Sequence, residues 1–240
     1  MKVRLIAYTH KPDETCSLAA STSVSMGSPS EIAEKTDPQK AARILGKVVG
    51  YGHTSVIEHA SFTFSIEGIS RACSHQLVRH RIASYTQQSQ RYVRLDEAGE
   101  YFVIPPSIER KREAKSIFLE SVGQGFSAYK ELLKEGIAPE DARYVLPNAT
   151  KTNVIVTMNA RSLMNFFGLR LCKRAQWEIR TLASLMLKEV KKVAPVIFEN
   201  AGPRCVELGY CPESKTCGLY PLKKDVVGKG GKRSSMQKNR

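Results

Sequence analysis

The 240-residue sequence contains no run of about eighteen apolar residues, which excludes a transmembrane helix. Its first eight residues predict a β-strand and lack the apolar core of a signal peptide, so we expect a cytoplasmic protein. It has no Cys-x-x-Cys pair, and without a secretory signal a disulfide framework is not expected. Cys205, Cys211 and Cys217 follow one another at a spacing that differs from the usual zinc modules. We therefore expect reduced thiols there and no metal site.

Acidic residues are scarce: 37 Lys and Arg face 23 Asp and Glu, which gives a net charge of +14. Two segments carry most of the excess. Residues 223–240 hold seven basic side chains and one acid among glycines and serines, which predicts a solvated, disordered tail. Residues 71–94 hold five arginines, no lysine and no acid. Arginine alone favours bidentate recognition of phosphate or ring edges over a diffuse positive field.

A different class of protein would also explain this charge. A basic RNA- or DNA-binding protein could use residues 71–94 together with the tail, and Tyr85 and Tyr92 could stack on bases. Binding of this kind would weaken steeply with salt.

Apolar periodicity predicts a single α+β domain with a central, mostly antiparallel sheet flanked by long helices. Alternating or apolar runs predict strands at 1–8, 60–67 and 151–158, whereas the polar stretch 82–92 is expected to be an irregular loop. A long helix over 107–135 is expected to break or bend near Gly123 and Gly125. We expect the catalytic domain to comprise residues 1–202 and the basic tail residues 203–240.

Two clusters of polar side chains can carry chemistry. Arg79, His80 and Arg81 stand where a helix ends and a polar loop begins, so they reach different groups of one large ligand or two ligands. The loop adds hydroxyls, amides and Arg91, which can wrap an anion. The second cluster surrounds an apolar helix after the last strand and comprises Asn159, Arg161, Asn165 and Arg170. Asn159 is also explained as a helix cap.

These residues carry a family resemblance. Arg79-His80-Arg81, seven residues and then Ser89 match the R-H-R-x7-S signature of the flavin-dependent thymidylate synthases. Segments 52–59, 142–147 and 159–166, the last continuing to Arg170 and 175–178, look like the same family. The resemblance spans about residues 1–200 and does not cover the tail.

The resemblance implies reductive methylation of dUMP to dTMP, with methylenetetrahydrofolate as carbon donor, NADPH as reductant and FAD as cofactor. Family members are homotetramers with active sites between subunits. The residues that the resemblance places against FAD are Ser55, Arg79, His80, Arg81, Gln87, Asn159, Arg161 and Asn165, with His53 near the flavin face where folate or nicotinamide docks. Those that it places against dUMP are Gln76, Arg79, Gln87, Gln88, Ser89, Gln90, Arg91, Arg143 and Arg170.

Arg170 is the expected catalytic residue. At the uracil edge, a fixed cation would stabilise negative charge developing at N3 and O2 and make the ring more nucleophilic. The motifs contain no cysteine, so no protein thiolate nucleophile is expected. Three positions depart from residues found in some members: Ser55 replaces Thr, Gln87 replaces Glu and Arg174 replaces His.

Overall fold

The computed structural model describes residues 1–95 and 101–227. Its centre is a four-stranded sheet in which every neighbouring pair is antiparallel. The strands are β1 (Lys2–Tyr8), β2 (Ser61–Ser70), β3 (Ser84–Gln87) and β4 (Lys151–Asn159). Their order is β1-β2-β4-β3, so the two long strands form the middle of the sheet. The predicted α+β fold with an antiparallel sheet is confirmed.

Alternation along β2 and β4 gives the sheet one buried and one polar face. Phe64 on β2 lies opposite Val156 on β4, and both are fully buried. On the other face, the Thr63 and Thr157 hydroxyls lie 2.9 Å apart in a cross-strand hydrogen bond. Each large apolar side chain buried in this way contributes about 1.5–3 kcal/mol.

Helices supply the other regular elements of residues 1–95 and 101–227. They are α1 (Pro12–Thr22), α2 (Pro29–Glu34), α3 (Pro38–Gly50), α4 (Arg71–Leu77), α5 (Pro106–Glu109), α6 (Arg112–Lys134), α7 (Pro139–Ala142), α8 (Ala160–Arg170), α9 (Trp177–Val193), α10 (Arg204–Leu208) and α11 (Lys223–Val227). Short 3-10 helices occupy Thr54–His59 and Arg143–Val145. Helices α8 and α9 pack against each other, and the core includes Phe166, Phe167 and Leu182.

A buried carboxylate fixes α4 against α9. Glu178 is only 2% exposed and accepts hydrogen bonds from the Ser70 backbone N–H (2.8 Å) and hydroxyl (2.6 Å). The same hydroxyl accepts from the Cys73 N–H and so caps α4. Because α4 leads into the Arg79-His80-Arg81 turn, this contact helps to set the position of that turn.

Some elements differ from expectation. Residues 84–87 form an edge strand inside the stretch predicted to be a loop, because Tyr85 and Gln87 are half-buried while Ser84 and Thr86 face solvent. That is the two-residue period of a strand, carried by polar residues.

Helix α6 runs without interruption through both of its glycines. A Cβ on Gly125 would lie 2.9 Å from the Val145 carbonyl oxygen. Gly125 therefore allows the 3-10 segment to approach the helix closely and does not break the helix.

The C-terminal region also departs from prediction. Residues 223–227 form a helix, and Cys211 donates from its N–H to the Pro221 carbonyl at 2.7 Å. Residues 228–240, where we expect disorder, lie outside the described part of the chain. Within residues 1–95 and 101–227, no helix is both long and apolar enough to span a membrane.

Candidate functional site

The Arg79-His80-Arg81 turn is fixed by a tyrosine on β3. The Tyr85 hydroxyl lies 3.0 Å from the Leu77 carbonyl oxygen and 2.8 Å from that of His80, so it bridges the end of α4 and the turn. Burial raises the pKa of Tyr85 to about 12, which keeps the phenol protonated as a donor. Arg79 and Arg81 are exposed and form no hydrogen bond or ion pair with another described residue.

His80 contacts Arg170 at the end of α8. The Arg170 Nε donates to His80 Nε2 at 2.9 Å, and its Nη2 donates to the Gln76 carbonyl at 3.3 Å. The Phe166 ring packs edge-on against His80 at a centroid distance of 4.9 Å. Burial, and secondly the charge of Arg170, lower the pKa of His80 to about 4. His80 is therefore neutral near pH 7, and because Nε2 accepts, Nδ1 carries the proton.

The residues Gln76, Arg79, His80, Arg81 and Arg170 form the first group, and Gln87 on β3 extends it. Its amide nitrogen donates to the Ser74 hydroxyl at 2.9 Å and the Thr152 hydroxyl at 3.2 Å. A glutamine can do this where a glutamate could only accept. The substitution of Gln for Glu at this position is thus compatible with the surrounding hydroxyls.

A second group lies where the loop that follows β3 meets α7. Arg91 pairs through Nε with the Glu140 carboxylate at 2.6 Å, and its backbone N–H donates to the Ser89 hydroxyl at 3.1 Å. Arg143 donates to the Glu140 carbonyl at 3.0 Å. Gln90 is half-buried beside them in sequence. Three of the predicted dUMP ligands, Ser89, Arg91 and Arg143, are therefore brought together beside α7.

Arg71 belongs to this second group and was not predicted. Its Nη2 donates to the Gln88 carbonyl at 3.3 Å, while its Nε is buried without a hydrogen-bond partner. Burial, and then the charge of Arg143, lower the pKa of Arg71. The sequence signal was available, because Arg71 is the first arginine of the acid-free segment, but its burial was not visible from the sequence.

A third group lies where β4 meets α8. Arg161 forms an ion pair with Glu58, and Asn159 accepts from the Ser162 N–H at 2.8 Å as the cap of α8. His53 and Ser55 are exposed at the start of the Thr54–His59 helix that carries Glu58.

Asn165 lies further along α8. Its Oδ1 accepts from Arg204 at 3.2 Å, so this predicted flavin ligand contacts the C-terminal segment in the single chain.

The second and third groups are attached to opposite ends of β4. Gln88 of the second group accepts from the Asn153 side chain at 3.1 Å, near the start of the strand, whereas Asn159 ends it. A strand rises about 3.4 Å per residue, so these ends lie about 20 Å apart. One chain therefore holds the second group, which includes Ser89, Arg91 and Arg143, apart from the third group with Arg161.

Comparison with known proteins gives a consistent result. The family model described as thymidylate synthase complementing protein matches residues 4–196. The flavin-dependent thymidylate synthase of Pyrococcus abyssi is 51% identical over 219 residues, which cover 89% of this chain and 90% of that protein. That of Geobacter sulfurreducens is 51% identical over 219 residues, which cover 91% of this chain and 94% of that protein.

A solved structure has a similar fold to this chain. The UMP/dUMP methylase PolB from Streptomyces cacaoi, bound with 5-Br dUMP, superposes with a TM-score of 0.70 at 26% identity. The match covers 82% of this chain and 93% of that chain. With half of its residues shared with relatives over most of its length, the chain belongs to the flavin-dependent thymidylate synthase family.

Proposed function

We propose that the protein methylates dUMP reductively to dTMP, with methylenetetrahydrofolate as carbon donor, NADPH as reductant and FAD as cofactor. The observation that carries the proposal is the contact of Arg170 with His80, which joins the end of α8 to the R-H-R motif. Membership of the family supports the reaction, and the 5-Br dUMP bound to PolB supports a uracil nucleotide as substrate. No described feature favours nucleic-acid binding over this enzyme.

The second group is suited to the phosphate of dUMP. Arg71 and Arg143 are close enough for the charge of one to lower the pKa of the other, and the buried Nε of Arg71 lacks a partner. A phosphate would relieve the repulsion between these cations and accept from their N–H groups. Ser89 and Arg91 complete the donor set.

Arg170 is suited to the uracil ring. Its contacts with His80 and Gln76 hold the guanidinium in place while leaving further N–H donors for a ligand. A cation fixed before the reaction stabilises negative charge on N3 and O2 without reorganising, which makes C5 more nucleophilic. The amides of Gln87, Gln88 and Gln90 would help to orient the nucleotide. Ser89 would act as a ligand, because within the described residues its hydroxyl accepts from the Arg91 N–H and contacts no base.

The residues expected to hold FAD fit an anionic dinucleotide. Arg79 and Arg81 are exposed with no partner among described residues, so their guanidinium groups are available to a pyrophosphate. His80, being neutral, would add an Nδ1 donor without a further positive charge. Arg161, Asn159, Asn165, Ser55 and His53 would complete the set. When bound, FAD supplies the redox step that amino-acid side chains cannot perform.

The separation of the groups supports an assembled active site. Since one chain holds the second and third groups apart at the ends of β4, we infer that residues from neighbouring subunits complete each site. This agrees with the predicted homotetramer with active sites between subunits. The body at 1–202 would carry the catalysis, and we expect it to act in the cytoplasm.

The test is a spectrum of the purified protein followed by an activity assay. We expect a flavin absorption spectrum that NADPH bleaches, and formation of dTMP from dUMP when methylenetetrahydrofolate is present. Arg170→Ala should retain FAD and lose turnover. Arg110→Ala, which removes an exposed arginine outside the three groups, should retain both FAD and turnover. A colourless protein that forms no dTMP would overturn the proposal, and normal turnover by Arg170→Ala would remove the role of Arg170.

A further inference from the structure

A cavity of about 140 Å³ lies between the end of α8 and the segment 203–222. Four cysteines line it: Cys172 just after α8, and Cys205, Cys211 and Cys217 from the segment. Burial raises the pKa of Cys205, and the neighbouring thiols of Cys172, Cys211 and Cys217 add to the increase. Two-thirds of the chain's six cysteines therefore meet at one place, although Cys172 is more than 30 residues from the other three in sequence.

The segment has almost no apolar core of its own. Between residues 203 and 222, the only buried hydrophobic side chains are the cysteines 205 and 211, which are 8% and 7% exposed. Regular structure there is limited to α10 and an isolated bridge between Cys211 and Leu222. A segment of this size that buries so little usually needs a covalent or metal crosslink to hold one conformation.

Basic side chains surround the same cavity. Lys173, Arg174 and Arg204 line it together with one acid, Glu213, to which Arg174 donates at 3.2 Å. Four thiolates on a divalent ion carry a net charge of −2. The three basic side chains that line the cavity would offset this charge. The charge distribution thus favours an anionic centre.

We propose that Cys172, Cys205, Cys211 and Cys217 bind one structural Zn²⁺ ion, which fastens the C-terminal segment to α8. The spacing of the last three cysteines differs from that of the usual zinc modules, which is why the sequence alone predicted no metal site. The fourth ligand, Cys172, lies more than 30 residues away and joins the other three only in the folded chain. Binding replaces four S–H bonds by four Zn–S bonds and releases the four protons to solvent.

The thiols must turn to reach the ion. No three His, Cys, Asp or Glu side chains in residues 1–95 and 101–227 are already arranged around a common metal position. Rotation about the Cα–Cβ bond moves a sulfur between staggered positions without moving the backbone. The cavity exceeds the roughly 30 Å³ that one water molecule occupies in liquid, so it has room for the ion.

The test is metal analysis of the full-length protein, purified under reducing conditions without chelator. Mass spectrometry of the elements should find about one zinc ion per chain, and Cys205→Ser or Cys211→Ser should lose it. Cys16→Ala, which removes a buried thiol in the main core, should retain the zinc. Iron in place of zinc would overturn the proposal.

A second measurement does not depend on variants that fold. Wild-type protein stripped of metal and titrated with Co²⁺ should develop a sulfur-to-cobalt charge-transfer band and tetrahedral visible bands beyond the flavin absorption, which Zn²⁺ then abolishes. Absence of these bands, with the four thiols reacting freely with a thiol reagent, would refute the site. Two disulfides in freshly isolated protein, found by peptide mass mapping without reduction, would refute it as well.

Discussion

The neutral state of His80 follows from burial and from the charge of Arg170, and both causes can be separated experimentally. In wild-type protein the pKa of His80 is lowered from 6.5 to about 4. Arg170→Gln keeps a side chain that can donate to Nε2 and removes the charge. We expect the pKa to rise in the variant and to remain below 6.5, because burial is the larger cause.

The size of the His80 pKa shift limits how much the free energy of unfolding can change with pH. One pH unit corresponds to about 1.36 kcal/mol, so the full difference in pKa limits the effect to about 3 kcal/mol, and less because His80 is only half-buried. The unfolded chain binds the His80 proton at higher pH than the folded chain does. Stability should therefore fall as the pH drops from about 6.5 towards 4, and Arg170→Gln should reduce this fall.

The assay is a pH titration of the His80 ring by two-dimensional NMR, with Arg110→Gln as matched control. In wild type and control, the His80 ring should remain neutral until the pH approaches 4. In Arg170→Gln, the His80 ring should become protonated at a higher pH than in wild type. A wild-type pKa near 6.5 would refute the argument from burial. An identical pKa in wild type and Arg170→Gln would show that the charge of Arg170 does not act on His80.

Three further predictions concern the nucleotide site, the core and the tail. Arg71→Gln should weaken dUMP binding about 10- to 100-fold, as expected for loss of a charge-assisted hydrogen bond, and binding of deoxyuridine much less, as measured by calorimetry. Glu178→Ala should lower the free energy of unfolding by about 3 kcal/mol, because it strands the buried donors of Ser70; a loss under about 1 kcal/mol in urea would contradict this. Deleting residues 228–240 should leave dTMP formation unchanged, and a loss of activity would show that these residues take part.

Sequence patterns predict the parts of the fold that local rules determine. Asp37 before Pro38 is a pattern typical of a helix start, and at the start of α3 Asp37 accepts from the Lys40 N–H at 2.8 Å. The alternation around Phe64 likewise predicted β2 from neighbouring residues alone. By contrast, β3 was missed because its strand character depends on pairing with β4, a contact with residues about 70 positions away.

The candidate site also has some features that the sequence shows and others that only the folded chain shows. An acid-free run of arginines and an R-H-R motif are visible in the sequence, and the family resemblance assigned ligands to them. The unpaired Nε of Arg71, the neutral His80 and the meeting of Cys172 with the C-terminal cysteines are consequences of packing. No local pattern contains that information, because each depends on elements distant in sequence.

The arginines of segment 71–94 differ in how firmly the single chain holds them, and this difference bears on the order in which a site is completed. Arg91 is fixed by Glu140 and Arg71 by the Gln88 carbonyl, so both present their remaining donors in a set geometry. Arg79 and Arg81 have no described partner, and ordering each on binding would cost about 0.5–1.5 kcal/mol. Under the proposed function, the phosphate side would be built largely within one chain, whereas the flavin side would gain its order from the cofactor or from a neighbouring subunit. Segment 71–94 therefore contains two arginines that the chain holds in place, Arg71 and Arg91, and two that it leaves without a described partner, Arg79 and Arg81.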